Sequence, residues 1–195
     1  MNEPGMVLLY LGWLIVILVV VVVVSLRRVK AMKAAAQKAG LSGIRANLIG
    51  RVSGSWRGYA VTWRMFGGGR SGPERAVVEI RASTPARLII HRRSKFDLNF
   101  SPFGPPVVQT AFDGDFIVRS DDAMLAERLL GDAKIIEEMR AGLLQRMDRL
   151  EIDARYVRAT RVTRPLTRDE AIRSAWKLAS IVVEQLGLPP ASMSA

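Results

Sequence analysis

Met6-Val7-Leu8-Leu9-Tyr10-Leu11-Gly12-Trp13-Leu14-Ile15-Val16-Ile17-Leu18-Val19-Val20-Val21-Val22-Val23-Val24 runs for nineteen residues without a charge, and fifteen of them are Val, Leu or Ile. Ser25-Leu26-Arg27-Arg28-Val29-Lys30 follows at once. As a helix the run is about 28 Å long, which matches a hydrocarbon core of about 30 Å. Fifteen such side chains favour insertion by about 5 to 9 kcal/mol. A helix buried in a soluble domain has no need to be apolar on every side, so the run reads as a membrane anchor.

Its flanks decide what kind. A cleavable secretory signal carries a basic segment before its apolar core and small residues at the cut. Met1-Asn2-Glu3-Pro4-Gly5 has no Lys or Arg, and no Ala-x-Ala site stands directly after the run, so an uncleaved anchor is expected. Arg27, Arg28, Lys30, Lys33 and Lys38 all lie on the C-terminal side. The positive-inside rule then predicts a single-pass protein of the inner (plasma) membrane, N-terminus outside and C-terminal domain in the cytoplasm. Tyr10 and Trp13 suit an interfacial aromatic belt. The same five cations are the candidate membrane-surface residues, each contributing about 1 kcal/mol near anionic headgroups.

Residues 1–40 are therefore read as anchor and basic helical stalk, and 41–195 as one cytoplasmic domain. About 155 residues suffice for a single core that buries about 70% of the unfolded surface. The net charge of +11 is unevenly spread: between Pro4 and Pro73 stand ten Arg or Lys and no acid. With the excess gathered next to the anchor, the charge is no argument for nucleic acid, which is not an expected partner. The chain has no Cys, which excludes disulfides, thiolate metal sites and cysteine nucleophiles.

Leu26 to Ala39 is rich in helix formers and Gly40 supplies a stop, so the anchor helix is expected to continue as a stalk. Val29, Met32, Ala36 and Ala39 fall on one side of it, a stripe able to lie along a bilayer or to pack on the domain. Beyond Gly40 the period changes to two. Ile44 to Val52 reads as a strand, with bends at Gly50, Gly54 and Gly58. Arg57 to Phe66 reads as a half-buried strand, followed by strands around Ala76 to Arg81 and Arg87 to Arg92. Four strands on short connections predict an antiparallel meander. Ser94 to Gln109, with Pro102, Gly104, Pro105 and Pro106, reads as a long loop. A strand at Asp115 to Arg119 leads to a helix capped by Ser120 or Asp121, and a second helix carries Ile135 to Met147. Leu150 to Ala154 and Tyr156 to Val162 form a strand pair. Thr167-Arg168-Asp169-Glu170 is a capping box that opens a last helix through Leu186. The fold class predicted is α+β: an N-terminal transmembrane helix, then one antiparallel sheet with helices on one face.

Candidate sites are few. Gly67 to Gly72 is glycine-rich, but it lacks the Lys and the following helix that a phosphate loop needs, so it reads as a hairpin connection. His91 is the single histidine, beside Arg92 and Arg93; no orienting acid is assigned to it, and a structural role is favoured. Asp113, Asp115, Asp121 and Asp122 offer oxygen ligands but no calcium-loop spacing. Trp56, Tyr59, Trp63 and Phe66 alternate with Arg51, Arg57, Arg64 and Arg70 in the manner of a single-strand nucleic-acid surface, yet Tyr59 and Trp63 share the apolar face, leaving Trp56 and Phe66 as platforms. Phe103 could be presented by its Pro-rich loop.

Phe112-Asp113-Gly114-Asp115-Phe116-Ile117-Val118-Arg119-Ser120-Asp121-Asp122, continuing to Leu130, resembles an element of uncharacterised bacterial single-pass membrane-anchored proteins, in which a Phe-Asp-x-x-Phe-x-Val-x-Ser strand leads into a helix. The resemblance implies no activity and no catalytic residue. With no convergent catalytic set, the expected function is a membrane-anchored interaction or scaffolding module whose partners are the bilayer and an unidentified protein. The alternatives are a tethered enzyme using His91 or the Asp113 to Asp122 acids on a lipid-linked or anionic substrate, and an anionic-lipid-binding domain using the stalk with Arg51, Arg57 and Arg64. No cofactor, metal ligand or catalytic residue is assigned.

Overall fold

The computed structural model describes residues 3–47, 50–67, 72–92, 116–145 and 148–191. α1 (Glu3–Lys38) is one uninterrupted helix of 36 residues. Gly40, at φ 79°, turns the chain out of it. The chain continues as β1 (Ser42–Ala46), β2 (Arg51–Trp56), β3 (Tyr59–Phe66), β4 (Arg75–Ile80), β5 (Leu88–Arg92), β6 (Phe116–Ser120), α2 (Ala123–Gly131), α3 (Ala133–Gly142), β7 (Arg149–Asp153), β8 (Tyr156–Val162) and α4 (Arg168–Leu186). The strands make one antiparallel sheet in the order β1-β2-β3-β4-β8-β7-β5-β6. The class expected from the sequence, α+β around an antiparallel sheet, is the one observed.

Alternation builds the core. Val61 and Trp63 of β3, Val78 and Ile80 of β4, Leu88 and Ile90 of β5, and Val157 and Ala159 of β8 are all at most 1% exposed. Packed with them are Ala126 and Leu129 of α2, Ile135 and Met139 of α3, and Ile172, Ala175, Ala179 and Val183 of α4, in one continuous cluster. α1 joins the same cluster through Met32 and Ala36, alongside β1 and β2. Of the two fates open to the stalk's apolar stripe, it takes the second and packs on the domain.

Four expectations need correction. Ile44 to Val52 is two strands, because Asn47 Oδ1 accepts the Arg51 N–H at 2.9 Å and Gly50, at φ 78°, completes a turn. Gly54 is no bend but lies inside β2, where a Cβ would come within 2.9 Å of the Ser42 carbonyl oxygen of β1. Nor does β5 extend the meander. β8 lies next to β4, with Ile80 opposite Val157 and Val78 opposite Ala159, so the buried row of β4 continues across β8 rather than β5. Finally, the α2 cap is Asp122, whose side chain accepts the Leu125 N–H at 3.1 Å; Ser120 Oγ accepts from Asp122 N–H and Asp121 from Arg87 N–H. The Thr167 to Glu170 capping box stands as read. Hydrogen bonds from the Thr167 amide and hydroxyl hold the Glu170 carboxyl below its ordinary range. That contribution is present above the ordinary carboxylate pKa and is lost as pH falls through the depressed one.

One buried ion pair has no signature in the sequence. Arg161 sits in the core row of β8, 1% exposed, and its Nη1 lies 3.7 Å from Asp148 Oδ2. Asp148 also accepts the N–H groups of Val162 and Gln145, each at 2.7 Å. Arg161 Nε and Nη1 have no hydrogen-bond partner, and burial pulls the guanidinium pKa down. Removing Asp148 would leave a buried cation uncompensated. Asp148→Ala is expected to lose about 3–5 kcal/mol in urea unfolding of the full chain in mild detergent, against about 1 kcal/mol for Thr167→Ala. Equal losses would contradict this ranking.

Candidate functional site

Strand pairing fixes what gathers at one end of the sheet. Phe66 lies opposite Arg75 and Arg75 opposite Val162, so the β3 end, the β4 start and the β8–α4 connection share it. The β1–β2 turn at Gly50 belongs there too, since Arg51 lies opposite Arg64 near the β3 end. After the reversal at Gly40, β1 runs back beside α1. Five strand residues rise about 17 Å, as do eleven helical residues from Ala36 back to Ser25. Ser25, the first residue after the apolar run, therefore comes level with the β1–β2 turn, and Ser25 and Gly50 line one cleft.

The basic flank is spread along the helix instead of gathered at this level. Arg27, Lys30, Lys33 and Lys38 are exposed on α1, and Arg28 lies on the same helix. Measured along the axis, Lys33 stands about 12 Å and Lys38 about 20 Å past Ser25. Lys38 is thus more than two Debye lengths, at about 8 Å each, from the end of the apolar run.

The cations grouped with the stalk as a lipid surface do not form one surface: Arg51 and Arg64 are cross-strand neighbours near one end of the sheet, and Arg57 is at the other. Arg51 is exposed at the sheet end nearest Ser25. Arg57 lies at the other end, in the β2–β3 turn at φ 50°, bonded to Glu184 at 2.5 Å and stacked on Trp56 at 5.1 Å. Arg64 points from the sheet face turned away from the core and binds Glu79 at 2.9 Å. There, Glu79 also accepts from Arg158 at 2.8 Å, while Glu151 accepts from Arg158 at 3.2 Å and Arg149 at 2.6 Å. This row of alternating charge crosses β3, β4, β8 and β7. It was missed because it exists only in the register of strands far apart in sequence.

The aromatic platforms are used internally. Trp56 is 8% exposed and meets Trp176 edge-on at 5.0 Å. Trp63 packs on Trp176 as well, and Tyr59 donates to the Leu188 carbonyl at 2.6 Å. Trp56 is thereby withdrawn as a stacking platform, while Phe66 remains 48% exposed.

The candidate chemical groups do not converge. His91 is half-buried on β5, opposite Ile117 and Arg149. Asp121 follows the other end of β6, since Leu88 pairs with Ser120; it accepts the Arg87 N–H, and Asp122 accepts the Leu125 N–H. No group of three or more His, Asp or Glu among the described residues could hold a metal ion. Asp113, Asp115, Gly68 to Ser71, Phe112 and the Pro-rich loop with Phe103 lie outside the described residues. Around Gly67 and Gly72 the chain passes from β3 to its antiparallel partner β4, a strand-to-strand connection.

No family model matches the chain, and no curated protein matches it. Among solved structures, the crystal structure of the mycobacterial trehalose monomycolate transport factor A, TtfA, aligns with 87% of this chain and 98% of its own, at 15% identity and a TM-score of 0.46. At that distance the likeness assigns neither a family nor a function.

The joint between α1 and the sheet is open to a direct test. Ala36→Asp places a carboxylate at a fully buried position. Trypsin is expected to cut after Lys38 and Arg45 much faster in this variant than in the parent chain, because an unpaired buried charge forces the joint open. Unchanged digestion would contradict the packing.

Proposed function

We propose that the chain is a single-pass inner-membrane protein, N-terminus outside, whose cytoplasmic α+β domain is an interaction module held against the membrane surface. One observation carries the reading. α1 is apolar and exposed all round from Tyr10 to Val24, yet the same helix, without a break, enters the domain core at Met32 and Ala36. An apolar surface of that length is far larger than a soluble monomer leaves in water. Lipid would cover it, and α1 is the described helix long and apolar enough to cross a membrane. The basic flank from Arg27 to Lys38 supports the orientation. Kinship with uncharacterised bacterial membrane-anchored proteins belongs to the same reading; it is supported by Phe116 and Val118 in the core and by Ser120 to Asp122 at a helix start.

Of the alternatives, the tethered enzyme draws no support from His91 and Asp121, which face different ends of the β5–β6 pair. An anionic-lipid surface made of Arg51, Arg57 and Arg64 together is likewise unsupported, since Arg57 stands at the opposite end of the sheet from the cross-strand pair Arg51 and Arg64.

A chain without cysteine suits topology labelling. In intact cells a membrane-impermeant maleimide is expected to label Asn2→Cys but not Ala154→Cys, which should react only after permeabilisation. The reverse pattern would overturn the orientation. The module itself is tested by sedimentation after gentle extraction: a stable complex with another protein is expected, and a partner-free monomer in several mild detergents would contradict it.

A further inference from the structure

Between α1 and the start of α4 lies a cleft of about 130 Å³. Its walls join five parts of the chain: Ser25 and Ala31 from α1, Gly50 from the β1–β2 turn, Gly67 after β3, Glu74 before β4, and Asp169 from α4. Met32, Met65 and Ile172 make an apolar floor. Three charged groups line it, the Arg168 guanidinium and the carboxylates of Glu74 and Asp169. Arg168 gives its Nε–H to Glu74 at 2.6 Å and is otherwise without an ion-pair partner among the described residues. Asp169, exposed, makes no ion pair among them.

We propose that this cleft binds the phosphoethanolamine headgroup of a membrane phospholipid. Three features support that ligand, and the inference rests on α1 being the anchor. Depth comes first: Ser25 ends the apolar run, so a cleft lined by Ser25 lies at the level of the headgroups, and the lipid's tails would stay in the bilayer beside Val21 to Val24. Charge comes next. A guanidinium with N–H groups beyond the one given to Glu74 matches a phosphate, and the carboxylate of the adjacent residue Asp169 matches an ammonium, so a cleft with one guanidinium and two carboxylates complements a zwitterion better than a simple anion. The third is the nature of the cation. Quaternary ammonium groups are held by aromatic cages, and no aromatic residue lines this cleft; a primary ammonium, which donates hydrogen bonds to carboxylate, fits the donor set. Volume agrees, because about 130 Å³ accommodates a small headgroup and no acyl chain.

Native mass spectrometry of the full chain in mild detergent tests this by titration with phosphatidylethanolamine, phosphatidylglycerol and phosphatidylcholine. One phosphatidylethanolamine is expected to bind about tenfold tighter than either of the others. Ala31→Trp, which fills the cleft from the α1 side, should abolish that preference, while Gln37→Trp, on the exposed part of α1 away from the cleft, should retain it. Asp169→Asn should bring phosphatidylethanolamine down to the level of phosphatidylcholine without unfolding risk, since the α4 cap is Thr167. Soluble phosphoethanolamine at millimolar concentration should not displace the lipid; full displacement would mean that a free metabolite, not a lipid, is the ligand. Equal affinity for the three lipids, or an undiminished preference in Ala31→Trp, would overturn the proposal. The topology labels are independent of this titration, so a lost headgroup preference with the labels in place rejects the cleft alone, whereas reversed labels reject the anchor orientation itself.

Discussion

Ala36 has no exposed surface and Met32 has 5%, although both stand on the helix that, two turns earlier, leaves every side chain from Tyr10 to Val24 uncovered. No Gly or Pro interrupts α1 between Ser25 and Ala39, and backbone hydrogen bonding carries through the change of surroundings. Eight positions, about 12 Å of helix, separate Val24 at the end of the apolar run from Met32 in the core. A disordered tether of that length would let the domain wander. A helix fixed at its lower end by the core does not, and the position of the whole sheet follows from it.

That constraint gives the two ends of the sheet different surroundings. The end holding Gly50, Phe66 and Arg168 comes level with the end of the apolar run, while the end holding Arg57, Ala154 and Gly187 is turned away from it. The Trp56, Trp63 and Trp176 contacts tie α4 to β2 and β3 across this length. On the far face of the sheet, Glu79 and Glu151 pair with arginines of three strands, β3, β8 and β7, in partial exposure to solvent, where such pairs contribute little to stability. The buried Arg161–Asp148 pair differs: its charges are out of water, so losing one partner is far more costly than losing a surface pair.

What the sequence made legible was local. Thr167 to Glu170 announced a helix start because the capping box is a four-residue pattern, and the α4 stripe from Ile172 to Leu186 followed from helical period. Strands β3 and β4 were readable because Val61 and Trp63 flank Thr62, and Val78 and Ile80 flank Glu79, at a period of two. The illegible features depend on residues distant in sequence. The place of β8 beside β4 and the joining of Glu79 to Arg158 in the charge row arise only when strands some 70 to 90 positions apart pair, and the approach of Arg161 to Asp148 depends on the register of the β7–β8 hairpin. The stalk was half legible: its stripe of Met32 and Ala36 was visible, but whether lipid or protein would cover it was decided by the groove between β1, β2 and α4. For the candidate cleft, no single segment carried a signal, because its walls come from five parts of the chain.

The central claim is that α1 holds one end of the sheet at the membrane surface and the other about 20 Å away, the rise of six strand residues from Val162 to Tyr156. Headgroup-nitroxide quenching in reconstituted vesicles measures this directly, with a dye placed on Phe66→Cys or on Ala154→Cys of the full chain. Strong quenching at position 66 and little at position 154 is the predicted result. Equal quenching at the two positions would show that the domain is not held by its anchor in this way and would contradict the account.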